Sequence, residues 1–144
     1  MRNTTIKIKK AKNLFDFLFL RKLRNDNRYY MTRKHTKIGL FQQLLFYLKA
    51  RSNFDLFIIY LSNKKAGYLL INKVKNLYFI TEVVDEKYRK LGLGTKLILF
   101  AQDKYPSLTA EIFSKNLASI KLHSSNNFKR IKSKNEIEIY RWKR

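Results

Sequence analysis

Arg89-Lys90-Leu91-Gly92-Leu93-Gly94 lies between two segments of opposite character. Before it, Leu77-Tyr78-Phe79-Ile80-Thr81-Glu82-Val83-Val84 is apolar, β-branched and aromatic and reads as a strand. After it, Thr95-Lys96-Leu97-Ile98-Leu99-Phe100-Ala101 reads as a helix. A turn punctuated by glycines therefore opens a helix. The first-turn N–H groups of such a helix have no intrahelical partners and converge on one spot, with the positive end of the helix dipole behind them. That arrangement binds a pyrophosphate. Gly92 and Gly94 let the backbone approach the anion and adopt positive φ, while Arg89 and Lys90 add side-chain charge.

The spacing sets this loop apart from two commoner phosphate binders. A dinucleotide fingerprint wants a third glycine three residues after the second, where Leu97 stands; a Walker loop wants four residues between its glycines, and here there is one. The R-x-x-G-x-G pattern resembles instead the acetyl-coenzyme A loop of the GNAT superfamily of N-acetyltransferases. The resemblance implies that Arg89, Lys90, Leu91, Gly92, Leu93, Gly94 and Thr95 hold the coenzyme.

Two further stretches extend the likeness from about Leu18 to Phe128. Downstream, the strand-like Ala110-Glu111-Ile112-Phe113 leads into Asn116, Ser119, His123 and Asn127-Phe128. This resembles the second GNAT signature, with Asn116 and Ser119 in register. His123 stands where the superfamily often has Tyr, and Asn127 where Gly is usual; Asn tolerates positive φ nearly as well. Upstream, Leu23-Arg24-Asn25-Asp26 and Ile38-Gly39-Leu40-Phe41-Gln42-Gln43-Leu44-Leu45-Phe46 resemble the branch that acylates nucleotide-linked amino sugars, with Gln43 and Phe46 in place of its His and Trp. In that family the strand before the loop splays from its neighbour and its free amides pair with the pantetheine arm. Val83 and Val84 are the residues so implied, a β-bulge near Glu82 to Val84 would free them, and Asn116 would bind the arm's other side or cap a helix.

The pattern of elements is Thr4 to Lys9 as a strand, helices over Lys12 to Arg24 and Leu40 to Arg51, then strands Phe54 to Tyr60, Ala66 to Ile71 and Leu77 to Val84. The turn Ser62-Asn63-Lys64-Lys65 joins the second and third strands. The helix from Thr95, a strand Leu108 to Phe113, the helix from Leu117 and a strand Glu136 to Trp142 follow, and Pro106 stops the helix after the loop. The order β-α-α-β-β-β-α-β-α-β predicts an α+β class and, with the resemblance, a GNAT fold: a mixed, mostly antiparallel central sheet flanked by helices, in one domain over residues 1–144.

Composition narrows the partners. No apolar run approaches the roughly 18 residues of a membrane span, and Leu14-Phe15-Asp16-Phe17-Leu18-Phe19-Leu20 is short and broken by a carboxylate. With no cysteine there is no disulfide or thiol chemistry, which fits a cytoplasmic location. The formal net charge is +22, yet the lysines are dispersed and no RNP-like stacking motif is present, so specific nucleic-acid binding is not expected and non-specific binding at low salt is. The field favours anionic ligands, coenzyme A and nucleotide sugars among them.

Ten carboxylates and two histidines are available for acid–base work. Acetyl transfer to an amine needs a neutral nucleophile, a polarised thioester carbonyl and a proton for the departing thiolate. Glu82, on the strand feeding the loop, is the expected general base, against the plainer alternative of a salt-bridged strand residue. Asp85 and Glu86 would oppose a pyrophosphate and are expected to face solvent. His123, in the place of the superfamily tyrosine, would donate to the sulfur, or else be a partly buried helix residue. His35 reads as a loop residue. No HExxH, Cys-His cluster or Ser-His-Asp order supports a metal or hydrolase chemistry. The acceptor expected is the primary amine of a nucleotide-linked amino sugar, a small anionic molecule, with Arg24, Asn25 and Arg28 as its contacts and Arg33, Lys34 and Lys37 adding charge; protein amino termini, other small-molecule amines, or a non-catalytic nucleic-acid-binding role on a GNAT-like scaffold are the alternatives. Oligomeric state is not encoded legibly.

Overall fold

The computed structural model describes residues 4–30, 39 and 54–144. The helix expected over Leu40 to Arg51, with Gln43 and Phe46, and the side chains of Arg33, Lys34, His35 and Lys37 lie outside those residues. Strand β1 spans Ile6–Lys10 and helix α1 Leu14–Asp26. Strands β2, β3 and β4 span Phe54–Leu61, Lys64–Val74 and Leu77–Val84. Helix α2 spans Leu93–Lys104, β5 Ser107–Phe113, α3 Leu117–Ser125, β6 Lys129–Lys134 and β7 Ile137–Lys143. The strands form one mixed sheet in the order β1-β2-β3-β4-β5-β7-β6, antiparallel throughout except for the parallel pair β4/β5. This is an α+β GNAT fold.

Helices cover both faces of the sheet, and the strands divide their side chains between them. Leu56 and Ile58 of β2, Tyr68 of β3 and Val83 of β4 pack under Phe17, Leu20 and Leu23 of α1. Their neighbours Phe57, Ile59, Leu69, Ile71 and Ile80 pack under Leu93, Leu97, Ile98 and Ala101 of α2. With both faces covered, central strands lose apolar–polar alternation, which is why Leu56 to Ile59 reads as an unbroken apolar run. By the same parity Glu82 shares its face with Ile80, on the side of α2 and α3.

Local signals set the ends. Asn13 caps α1 by accepting from the Asp16 N–H (3.1 Å). Asp16, the carboxylate that interrupts the apolar run, is buried, accepts from the Lys12 N–H (2.9 Å) and pairs with Lys65 (2.8 Å). Tyr105 is extended, as a residue before proline should be, and α2 stops there.

Three expectations are corrected. The β2–β3 turn is only Ser62–Asn63, both at positive φ, so Lys64 and Lys65 belong to β3. A seventh strand, β6, pairs with β7 through a turn at Asn135–Glu136, also at positive φ, so Glu136 is not in the last strand. All six residues of β6 are exposed, so no burial pattern marks it in the sequence. Finally, β4 holds an unbroken register with β3 from Gly67↔Val84 to Lys73↔Tyr78 and Val74↔Leu77, without a bulge at Glu82 to Val84; register shifts lie instead at Ile59/Tyr60 of β2 and Arg130/Lys132 of β6.

Gly67 permits that tight register. A Cβ added there would stand 2.5 Å from the Val83 carbonyl oxygen and 3.1 Å from the Val84 Cα, both backbone atoms. Gly67→Ala is expected to cost about 1–3 kcal/mol, the range for overpacking, seen as a lower midpoint in urea or thermal denaturation.

Candidate active site

In the loop between β4 and α2 an extended residue is followed by two left-handed ones. Asp85 accepts from the Lys87 N–H (3.1 Å) and caps the short turn Glu86–Tyr88, so it is a structural cap and not simply solvent-facing. Arg89 is extended, Lys90 has φ 64° and Gly92 φ 77°. Left-handed residues of this kind turn successive N–H groups toward one side and form an anion-binding concavity. Gly92 caps α2 with no side-chain hydrogen bond, leaving the first-turn N–H groups to a ligand. An added Cβ at Gly92 would meet nothing within 4 Å, so conformation and ligand approach require the glycine, not packing. Gly94 differs from the expectation: its Cβ would lie 3.0 Å from Leu122 Cδ2, so here glycine lets α2 approach α3.

The loop closes one end of a cleft of about 580 Å³ between β4 and β5. The two strands pair at Phe79↔Thr109, and beyond it Ile80 to Val84 and Ala110 to Ile112 form opposite walls. The β5-facing edge of β4 there has no ladder partner among the described residues; alternation along the strand turns the Val84 backbone to that edge, whereas Val83, paired with Tyr68, turns its backbone to β3. Val83, Val84, Arg89, Lys90, Gly92, Leu93, Gly94, Thr95, Asn116 and Ser119 all line the cleft. Leu91 does not; its side chain points outward and is 55% exposed. Asn116 caps α3 through its side-chain oxygen, which accepts from the Ser119 N–H (3.3 Å).

Glu82 and His123 meet on the cleft wall. His123 Nε2 lies 3.3 Å from Glu82 Oε1, close enough for an ion pair though out of line for a hydrogen bond, and the side chains are 2% and 8% exposed. His123 Nδ1 donates to the Ser119 carbonyl oxygen (2.8 Å), and its ring meets Phe128 edge to face at 4.9 Å. Asn127 has φ 68°, the conformation expected of it, and this turn delivers Phe128 to the imidazole. Burial pulls the His123 pKa down, but the Glu82 charge beside Nε2 and the bond to the Ser119 carbonyl outweigh it, so the net direction is above the ordinary 6.5.

The amino-terminal contacts are distributed differently from expectation. Arg24 and Asn25 are buried and Arg28 turns its guanidinium over the Tyr29 ring (4.5 Å) and to the Asn25 carbonyl (3.2 Å); none of the three lines the cleft. Asn27 and Tyr30 do. Arg89 donates to Asn27 Oδ1 (2.7 Å) and to the Val84 carbonyl (3.3 Å), tying the loop to the end of α1. Tyr88 and Glu111, also on the cleft, went unnoticed in sequence; Tyr88 adjoins the loop arginine and Glu111 alternates with buried residues on β5, which were the available signals.

The profile of the acetyltransferase (GNAT) family matches residues 17–128. The chain belongs to that family. No curated protein matches at the level of sequence. Among solved structures, a domain from Methanocaldococcus jannaschii DSM 2661 is 19% identical with a TM-score of 0.83, covering 99% of this chain and 100% of that one. The protein yncA from Salmonella typhimurium, solved with its cofactor acetyl-CoA, is 16% identical with a TM-score of 0.77, covering 96% and 93%. A spermidine N-acetyltransferase from Vibrio cholerae, in complex with CoA and spermine, is 13% identical with a TM-score of 0.78, covering 94% and 92%. As a GNAT enzyme the protein uses acetyl-CoA. The cleft fits that co-substrate: left-handed Gly92 and the open first turn of α2 suit a pyrophosphate, and the unpaired edge of β4 suits an amide-bearing arm.

Gly92→Val, which forces a β-branched residue into positive φ beside the anion, is expected to abolish acetyl-CoA binding by calorimetry while the circular dichroism spectrum persists. The Glu82–His123 pair also makes stability pH-dependent. Folded His123 holds its proton more tightly than the unfolded chain does. The contribution is therefore complete below about pH 6.5, the unfolded value, and is lost as pH rises through the higher folded value. Denaturation midpoints measured across that window should show the wild type losing stability relative to His123→Gln.

Proposed function

We propose that the enzyme acetylates a primary amine carried by a nucleotide-linked amino sugar, with Glu82 as general base. The observation that carries the reaction is Glu82, on the cleft wall between the coenzyme loop and the parted strands. Acetyl-CoA supplies a thioester carbonyl open to attack and a sulfur that leaves as thiolate. The chain's residues do the rest. The loop and α2 terminus hold the anionic end, and the backbone N–H of Val84, on the edge of β4 that faces the cleft, is a donor available to the carbonyl. Glu82 takes a proton from the arriving ammonium, directly or through water, and frees the lone pair that forms the C–N bond as the C–S bond breaks. Of the two protons the nitrogen gives up, one ends on the thiol and one is released. Holding both reactants in one cleft provides much of the acceleration.

The acceptor class draws support from the rim. Tyr29 and Tyr30 are 69% and 58% exposed, Tyr30 lines the cleft, and Arg28 stands on the Tyr29 ring. Aromatic faces beside a guanidinium suit a nucleobase and its diphosphate, and the net charge of +22 favours an anionic acceptor.

In an assay of thiol release, uridine-diphosphate amino sugars should be acetylated faster than the free sugars, with the preference shrinking as salt is raised. Equal rates, or faster turnover of polyamines or peptide amines, would replace this acceptor class. Glu82→Gln should lower kcat near neutral pH with little change in acetyl-CoA affinity, and higher pH should partly restore it because the amine then deprotonates unaided. Wild-type kcat across pH would make Glu82 structural.

A further inference from the structure

We propose that His123 is the positioning and proton-sharing partner of Glu82, not a donor to the departing sulfur. This rests on the reading of Glu82 as the base. The two imidazole nitrogens have different neighbours: Nδ1–H is bonded to the Ser119 carbonyl at 2.8 Å, and Nε2, without a hydrogen bond, faces the Glu82 carboxylate at 3.3 Å from Oε1. The ring cannot swing away easily, because Phe128 stands edge-on against it and the side chain is 2% exposed. Nδ1–H is committed, and a proton on Nε2 faces a carboxylate whose charge favours keeping it there. Its orientation is instead that of a residue which fixes a carboxylate and settles where a proton sits.

The surroundings isolate this pair as the unit that titrates. From β3, buried Tyr68 shares the electrostatic neighbourhood of Glu82 and, from α1, of Arg24; burial pushes the Tyr68 hydroxyl well above its ordinary 10, so it keeps its proton. Ser119 of α3 contributes a carbonyl and a hydroxyl 3.4 Å from Nδ1. Glu111 of β5, and Tyr88, Arg89 and Lys90 of the loop segment, line the same cleft. With Nδ1–H committed to a carbonyl, one mobile proton lies between Nε2 and Oε1. While the pair holds it, Glu82 is neutralised by imidazolium and is a poor acceptor. Once it is lost, a carboxylate faces a bare Nε2 lone pair, and a proton taken from the ammonium is shared between the two. The pair thus goes from charge −1 to 0 as the amine is deprotonated.

The test has two arms. Nuclear magnetic resonance of the imidazole carbons, with His35→Gln identifying the other histidine, should show His123 titrating above 6.5, and Glu82→Gln should lower that value. This arm needs no acceptor, so failure of the pair is distinguishable from failure of the proposed reaction. The second arm compares kcat against pH for wild type and His123→Gln, with whichever primary amine of the panel turns over fastest. The acid limb of the variant should move down by about one unit or more, a tenfold change in proton affinity, so that its activity relative to wild type rises toward low pH. His123→Asn should behave alike, and acetyl-CoA thermal shifts confirm that each variant is folded. A wild-type His123 titrating below 6.5, a titration unmoved by Glu82→Gln, or loss of an alkaline limb in His123→Gln would overturn the proposal; the last is the signature of a donor to sulfur.

Discussion

One parallel pairing in an otherwise antiparallel sheet organises everything that matters for chemistry. Two consecutive parallel strands cannot be joined by a tight turn; the chain must cross over, here through α2, and return. The amino terminus of α2 therefore lies at the carboxy-terminal end of β4. Where β4 and β5 part beyond Phe79↔Thr109, the cleft opens beside that helix terminus. The open helix terminus, the parted strand edge and the cleft wall that carries Glu82 follow from one topological choice.

Burial then decides what the wall can do. Glu82 would be costly to keep charged on a largely desolvated face without a counter-charge. α3 supplies one, held by its own backbone: Ser119 is one turn before His123, so the bond from Nδ1 lies along the helix and aims Nε2 at β4. The two residues are far apart in the chain and on different elements, joined only because α2 and α3 pack on the same face of the sheet.

How much of this was legible follows from what each feature depends on. The conformation of the loop from Arg89 to Gly94 is legible because its requirements are local: glycine at Gly92, a strand before and a helix after. The positive φ of Asn127 and the stop before Pro106 were legible for the same reason. What escaped was non-local or unpatterned. β6 is exposed along its whole length and has no burial signature. The pairing of Glu82 with His123 depends on helix packing that no spacing encodes. Arg24 and Asn25 were read as acceptor contacts from their place in a motif, but the face of α1 they occupy turns inward, and the residues that reach the cleft are Asn27 and Tyr30 beyond the helix.

The dispersed lysines also have a physical address. Among the described residues the sheet is open, and its edge strands are β1 and β6, at opposite ends of the strand order. β1 reads Ile-Lys-Ile-Lys-Lys and β6 Lys-Arg-Ile-Lys-Ser-Lys, each with backbone groups available to a stranger's strand. Cationic side chains at such borders repel a second copy before hydrogen bonds can zip the two sheets together. Part of an apparently unspecific surplus of charge thus stands guard where an unclosed sheet is most prone to grow into its neighbours.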